Sequence, residues 1–312
     1  MMTTGIHHVT AIASDPKRNV DFYTRLLGLR LVKKTVNFDD PTTYHLYYAD
    51  AAGSPGSVMT FFPHPFARKG RHGAGQAVEV SFAAPHDALP FWIDRLARMG
   101  VAHSAAERFG EKLVRFEDPD GLPLEIVAVD GVAGAGEPWE TEGVTKSEAL
   151  RGFHSVTLWE QNHEATAQLL SDHFGFKFAG SEGERVRFRA ESEGVGRIVD
   201  IRRMPEQMRG SLGAGVNHHI AFRARDDDHQ AEMREALTAE GFNVTPMLDR
   251  NYFHSVYFRE PGGVLFEIAT DPPGFAADES LESLGRSLKL PPQYEPRRAE
   301  IEAALPPLGD AS

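Results

Sequence analysis

Three side chains of this sequence, His8, His219 and Glu267, could together hold a metal ion. The chain has 14 histidines and no cysteine, which excludes disulfides, thiolate zinc sites and a cysteine nucleophile, so a metal must rest on imidazole or carboxylate. His8 lies in the strand-like run GIHHVTAIA, His219 in GVNHHIAFR, and Glu267 in the apolar stretch VLFEIA. A strand sends alternate side chains to opposite faces, so Leu265, Glu267 and Ala269 share one face. An ionised glutamate among Val264, Phe266 and Ile268 needs a charged or hydrogen-bonding partner when buried, and a metal ion is such a partner. Two histidines and a carboxylate on one face, with positions left open, suit non-haem Fe(II) that activates oxygen; Mn(II) and Zn(II) fit the same donors. Taken singly, a histidine at a strand start is usually structural and a glutamate near a strand end is usually solvated. The case therefore rests on the repeat in which these residues recur.

Four segments open alike: GIHHVTAIA from Gly5, GQAVEVSFA from Gly75, RGFHSVTLW from Arg151 and GVNHHIAFR from Gly215. Each leads into an amphipathic helix that stops at a glycine: Pro16 to Gly28, Asp87 to Gly100, His163 to Gly175 and Asp227 to Gly241. Three further strand-like stretches follow each glycine. The closing strands of copies two and four match, DPDGLPLEIV and EPGGVLFEIA, each placing one glutamate, Glu125 or Glu267, after a turn. The third copy is the most degenerate, with ESEGVGRIVDIRR in that place. The architecture is α+β: four β-α-β-β-β modules over residues 5–63, 75–130, 151–205 and 213–270, followed by a tail over 271–312. The Gly-rich stretches from His64 to Gly75 and from Asp130 to Gly143 read as linkers. The Pro-rich tail is expected to wrap the surface with one or two short helices and to carry no chemistry.

If two modules pair into one curved sheet, their first and last strands line its concavity, where two imidazoles and a carboxylate could converge. Copies one and four would use His8, His219 and Glu267. Copies three and four would use His154 with His219 and Glu267, and the repeat alone leaves both pairings open. The net charge of -12 argues against a nucleic-acid surface. The first residues, MMTTGIHHVT, lack a basic region leading into an apolar run, and no apolar stretch approaches ~20 residues, so a cytoplasmic protein without membrane spans is expected. A homo-oligomer is left open.

The quoted stretches resemble the vicinal oxygen chelate superfamily, whose unit is this module. The first 60 residues, NHHIAF and DRNYFHSVYFREPGGVLFEIATDPPGF further resemble its branch of ring-cleaving hydroquinone dioxygenases. The resemblance spans about residues 5 to 275 and implies that His8, His219 and Glu267 hold the metal, Fe(II) or Mn(II). It also implies two cup-shaped sheets: modules one and four share the functional cup, while modules two and three form a companion whose Glu125 and His154 are remnants. The second-shell positions of the branch carry over as Thr10, His218, Arg250 and Tyr257, with His7 a further candidate. Thr10 follows His8 by two and faces the same cavity. Arg250 is an always-charged fork for a phenolate or reduced oxygen, and Tyr257 could bond a substrate hydroxyl. By simple alternation His218 points away from the metal, so its use requires a twisted or bulged strand. Phe253 and Phe266 are expected to exclude water.

The implied activity is extradiol-type cleavage of a hydroquinone- or catechol-like aromatic with O2. Two rivals share the scaffold. A glyoxalase-type isomerase or thiol transferase usually recruits a fourth protein ligand, and the closing strand of module one, SVMTFFP, offers no carboxylate or imidazole before His64. A small-molecule sequestering protein has no need of a metal triad.

Overall fold

Two curled sheets, each built from two modules, account for almost all of the chain in the computed structural model, which describes residues 2–131 and 136–308. The presumed linker from Asp130 to Gly143 thus lies partly outside the described residues. The strands are β1 (Ile6–Ala13), β2 (Arg30–Val36), β3 (Tyr44–Ala49), β4 (Val58–Pro63), β5 (Gln76–Pro85), β6 (His103–Arg108), β7 (Glu111–Glu117) and β8 (Pro123–Val129) in the first half. The second half adds β9 (Phe153–Glu160), β10 (Lys177–Glu182), β11 (Arg185–Arg189), β12 (Ile198–Arg203), β13 (Val216–Ala224), β14 (Leu248–Asp249), β15 (Phe253–Arg259) and β16 (Leu265–Pro273). Strand order is β14-β15-β16-β13-β1-β4-β3-β2 in one sheet and β10-β11-β12-β9-β5-β8-β7-β6 in the other. The chain therefore closes on itself: its first and last modules meet along β1 and β13, and the middle two along β5 and β9. This α+β pair of eight-stranded half-barrels is the fold expected from the repeat.

The helices start and stop where the sequence signals them. Asp15 caps α1 (Pro16–Val20) by accepting from the Arg18 N–H, and the helix widens into a π-helical turn over Asp21–Leu26. Helices α2 (Leu89–Arg98), α3 (Glu164–Asp172) and α4 (Asp227–Ala239) follow, with Asp226 capping α4 through the His229 N–H. Gly28 and Gly241 end their helices at φ +65° and +89°, a left-handed conformation that side chains with a Cβ resist. One continuous core joins both sheets and these helices, with Phe82, Phe153, Phe222 and Phe266 among its fully buried members. In module four the second strand is reduced to the two residues of β14.

Bulges break both central seams. Along β1 and β13, Ile6 pairs with Phe222 and His8 with Ala221, which leaves His7 as an extra residue; Thr10 pairs with His219 and Ala11 with Asn217, which leaves His218. The other seam repeats the device: Val78 and His154 are the extra residues of β5 and β9. Register then corrects one sequence expectation. His154 stands at the place of His7, while Ser155, opposite Ser81, stands at the place of His8. His154 lies in the other sheet from His219 and bonds Ser155 and Glu111. Glu125 does stand where Glu267 does, since Ser81 faces Glu125 as Ala221 faces Glu267. Glu79 takes the place of His219, and Asp200 that of Thr60.

Three carboxylates therefore meet in the second cup, and arginines neutralise them. Arg108 donates to both oxygens of Glu125, Arg185 donates to Glu79 at 2.7 Å, and Arg187 grips Asp200 through Nε and Nη2 at 2.8 and 3.0 Å. Burial pushes the Glu125 carboxyl up, but the Arg108 bonds outweigh it and hold the group at about 2. A folded value below the usual 4.5 makes this ion pair stabilising above about pH 4.5, with the contribution lost as pH falls toward 2. Arg108→Leu, which strands a buried charge, should lower the unfolding free energy by about 3 kcal/mol at pH 7 in urea titrations, and by much less at pH 3. A loss below about 1 kcal/mol at pH 7 would mean that water already reaches the cluster.

Candidate metal centre

The seam of the first cup gathers the three expected donors. His8 on β1, His219 on β13 and Glu267 on β16 are buried, and one donor atom from each lies within 4.8 Å of the other two. Glu267 Oε2 is 3.2 Å from His8 Nε2 and 2.9 Å from His219 Nε2, and the two Nε2 atoms are 3.4 Å apart. Glu267 Oε1 accepts from Ser255, whereas among the described residues Oε2 has no assigned hydrogen-bond donor although it is fully buried. Burial alone would raise the Glu267 carboxyl, yet the two imidazoles hold it well below the carboxylate range, so it is a buried anion. An orphaned carboxylate oxygen aimed at two imidazole nitrogens is what a divalent cation would satisfy, and the donor set fits one.

The bulges explain how adjacent histidines share this site. His7 Nδ1 lies 2.9 Å from His8 Nδ1, and His218 Nδ1 lies 2.8 Å from His219 Nδ1. Burial, then the neighbouring His8, lowers His7 well below the imidazole range; burial, then His219, lowers His218 to about 3. Both rings are therefore neutral at pH 7 and can accept at Nδ1. In the tautomer in which His8 and His219 donate from Nδ1 to these rings, each presents Nε2 toward Glu267 as a potential metal ligand. His218 thus lies beside His219 at the bulge of β13, and His7 beside His8 at the bulge of β1.

Around the donors, Tyr257 on β15 faces Glu267 across the strand pair, and its ring lies 5.7 Å from that of His219. Burial raises its phenol, so the hydroxyl stays protonated. The Arg250 guanidinium sits 5.7 Å from the Tyr257 ring and 5.6 Å from that of Phe38, and pairs with Asp39 at 3.6 Å. Thr10, on the face of His8, bonds Thr60. Phe253 packs on both His7 and His8, with ring centroids 5.2 and 4.9 Å away. Phe266 does not line the site: it alternates with Glu267 and packs in the core against Phe174, Phe222 and Phe258.

A family model described as the glyoxalase/bleomycin resistance protein/dioxygenase superfamily matches residues 5–126 and 152–268. The chain belongs to that superfamily. Within it, the chain is 48% identical to the Bacillus subtilis protein named "Putative ring-cleaving dioxygenase MhqO", over 98% of this chain and 96% of the relative. It is 38% identical to a "Chlorohydroquinone/hydroquinone 1,2-dioxygenase" of Sphingobium indicum, over 95% and 94% of the two chains. A crystal structure of a "putative dioxygenase" from Bacillus subtilis superposes with a TM-score of 0.94 at 48% identity, covering 98% of this chain and 97% of that one. Glyoxalase I of Zea mays shares the fold alone, with a TM-score of 0.64 at 13% identity over 86% and 92% of the chains.

Several residues of this superfamily member's site escaped the sequence reading. The cavity at the donors is also lined by Asn37, Phe38 and Asp39 before β3, by His45 and Tyr47 on β3, and by Phe62 on β4. His45 and Tyr47 are polar residues two apart in the buried strand YHLYYA, a signal of one shared face that was available. The tail runs over the surface with short helices, Glu295–Arg297 and Arg298–Ala304 among them, but also reaches the first sheet. Phe275 and Leu284 belong to one buried cluster with Val58, Ala221 and Ala269; Val58 and Ala221 pair with His8 in register and Ala269 follows Glu267 by two, so the tail covers part of this face of the sheet. Lys33 anchors it through Asp278 and Glu279, both at 2.5 Å.

The cavity at the donors is about 40 Å³, against about 890 Å³ in the second cup. The larger space lacks a metal-ready donor set, because arginines occupy Glu79, Glu125 and Asp200. Chemistry, not volume, therefore marks the first cup. Replacing His7 or His218 by Phe should weaken metal binding by about 10- to 100-fold without abolishing it. His219→Ala and Glu267→Ala should leave no bound metal after desalting. Calorimetric titration with Zn(II) or Mn(II) of the stripped protein checks both, and unchanged affinity in His218→Phe would contradict the orienting role.

Proposed function

We propose that this protein is a metal-dependent ring-cleaving dioxygenase acting on a hydroquinone-like aromatic with O2. His8, His219 and Glu267 would hold the metal, with Fe(II) the favoured occupant of a two-histidine, one-carboxylate set and Mn(II) the alternative. The single observation that carries the reading is the orphaned, buried Glu267 oxygen facing two Nε2 lone pairs, in a chain 38% identical to a protein named for hydroquinone. When bound, Fe(II) supplies a Lewis acid that lowers a phenol pKa and a redox centre that accepts O2 next to the ring.

The chain's own residues supply the rest. One carboxylate against a dication leaves a unit of positive charge, so the site favours a mono-anionic ligand such as a phenolate. Arg250 adds a second cation at the cavity, placed to hold the oxygen that becomes negative during ring opening. Tyr257, protonated and beside His219, donates to a substrate or oxygen atom. His218 keeps His219 in its Nε2-free tautomer. Thr10 presents a hydroxyl on the His8 side. The present cavity is far smaller than the roughly 300 Å³ of ordinary ligand clefts. Entry of a ring therefore requires Phe38 and Arg250, which stand together at the cavity, to swing aside.

The two hydroxyls of a hydroquinone are para, so the bond broken lies beside one hydroxyl, as in extradiol-type cleavage. The glyoxalase-type rival gains no support from the fourth strand: Thr60 occupies it, and His45 is bonded through both nitrogens to Tyr47 and Thr60.

Anaerobically Fe(II)-loaded protein mixed with methylhydroquinone and oxygen should consume one O2 per ring-opened acid, read by oxygen electrode and mass spectrometry. Oxygen uptake that gives only the benzoquinone would defeat the reading. Arg250→Met should lower kcat/KM by about 100-fold while retaining metal, and Glu267→Ala should be inactive.

A further inference from the structure

Two joints between a turn and a helical segment hold the sheets against each other. In the joint of modules one and two, Asp118, in the turn before β8, accepts from the Asp120 and Leu122 N–H groups, each at 2.9 Å, and from the Tyr23 hydroxyl at 3.2 Å. In the joint of modules three and four, Glu260 holds the place of Asp118 and accepts from the Gly262 and Val264 N–H groups at 2.8 and 2.6 Å. Its further partner is the Thr166 hydroxyl of α3, at 2.5 Å. That hydroxyl also lies 2.8 Å from Glu160 Oε2, at the end of β9. Glu160 packs directly on the turn, since a Cβ at Gly262 would stand 2.2 Å from its Oε2. All three side chains are buried. The first joint has no second carboxyl, because Ala13 stands at the place of Glu160.

The Thr166 hydroxyl carries one hydrogen yet touches two carboxyl oxygens. Were both carboxyls ionised, one of these buried contacts would set lone pair against lone pair. A second hydrogen is therefore required, and it belongs to a carboxyl. Glu260 receives two backbone N–H bonds, which favour its ionised form. Among the described residues Glu160 Oε1 has no partner, and Oε2 meets only the hydroxyl. Glu160 is therefore the acid: its Oε2–H donates to Thr166, and Thr166 donates to Glu260. Every hydrogen in this order has an acceptor, whereas the reverse order would leave an ionised, buried Glu160 with a single donor.

No cation among the described residues bonds either carboxyl. Burial, then Glu260, push Glu160 up to about 8, and Arg209, on the connector before β13, lowers it by less. Arg209 and Arg259 donate instead to the Gly262 and Gly263 carbonyls. Arg203, opposite Glu160 in register, is exposed, and His163 at the start of α3 stands 3.8 Å from Glu164.

We propose that Glu160 and Glu260 form an acid–carboxylate latch between the two sheets, and that loss of its one proton to alkaline solvent frees the turn over residues 260–264 from α3. This turn joins β15 to β16, the strand that carries Glu267. The latch belongs to the scaffold and is independent of the metal and reaction assigned to the first cup.

Glu160→Gln keeps the shape and a donor toward Thr166 but cannot ionise. Because the folded value lies above the usual 4.5, the unfolded chain gives up this proton first, and wild type loses stability as pH rises from about 4.5 to about 8. In paired urea titrations of the full-length protein, the folded-to-unfolded ratio of Glu160→Gln relative to wild type should grow about ten-fold per pH unit across that window and level off above it. At about pH 9 the amides of residues 260–264 should exchange with deuterium faster in wild type than in the variant, and at about pH 5 equally. A relative stability that does not change with pH, or equal exchange in alkaline solution, overturns the latch. Wild type also decides the matter alone, should the variant not fold. Its infrared spectrum at about pH 7 should contain the C=O stretch of a buried carboxylic acid, which disappears above about pH 8. Asp118, raised to about 6, has largely ionised by then. Absence of that band, or its survival in folded Glu160→Gln, overturns the latch.

Discussion

A fully buried, ionised Glu267 is the constraint around which the first cup is arranged. Its Oε1 is bonded by Ser255, among the described residues its Oε2 has no assigned donor, and the nearest groups are two imidazoles presenting Nε2. A carboxylate in that condition is strongly destabilising unless a cation meets it. The surrounding residues are organised to supply no competing proton. His7 and His218 accept at Nδ1 and thereby hold the Nε2 lone pairs of His8 and His219 free. They can do so only because each sits at a β-bulge, where an extra residue turns a side chain that simple alternation would send to the opposite face.

Much of this could be read before any coordinates. The period-two pattern of VLFEIA singled out Glu267, the four repeated openings placed His8 and His219 in first strands, and the i, i+2 spacing put Thr10 on the face of His8. Tyr257 lies directly across from Glu267, as its position in the preceding strand suggests. What failed did so for identifiable reasons. His154 looked like a ligand remnant because its repeat has one histidine where the first has two, and only register shows that it matches His7. Phe266 was assigned to the cavity although its neighbour Glu267 faces inward, and alternation sends it to the core. The tail was read as a surface wrapping because its prolines say nothing of destination; Phe275 and Leu284 bury against the cup floor. His45, Tyr47 and Thr60 were missed because polar residues within an apolar strand have no visible partners until β3, β4 and β1 are laid side by side.

The two cups share backbone devices and resolve them with opposite electrostatics. Both keep bulges at matching places on their central seams, and both put a glutamate on the strand beside the seam. In the second cup Glu79 and Asp200 add two carboxylates, and the arginine side chains of β6 and β11 reach across to pair with all three. A guanidinium has no lone pair to offer a metal and cannot be deprotonated, so this arrangement is saturated. In the first cup the corresponding places carry His219 and Thr60, so Glu267 faces two imidazoles where Glu125 faces arginines.

That difference also accounts for the reversal of cavity sizes. The second cup can stay open, at about 890 Å³, because its charges are mutually satisfied and tolerate water. The first cup is narrowed to about 40 Å³ by Phe253, Arg250 and the residues before β3. Narrowing brings low-dielectric side chains against the carboxylate and the imidazoles, which strengthens the electrostatic interactions among them and with a bound ion. A narrow cup with one buried anion facing two imidazoles is thus better suited to binding a dication and one anionic ligand than the larger, arginine-neutralised cavity beside it.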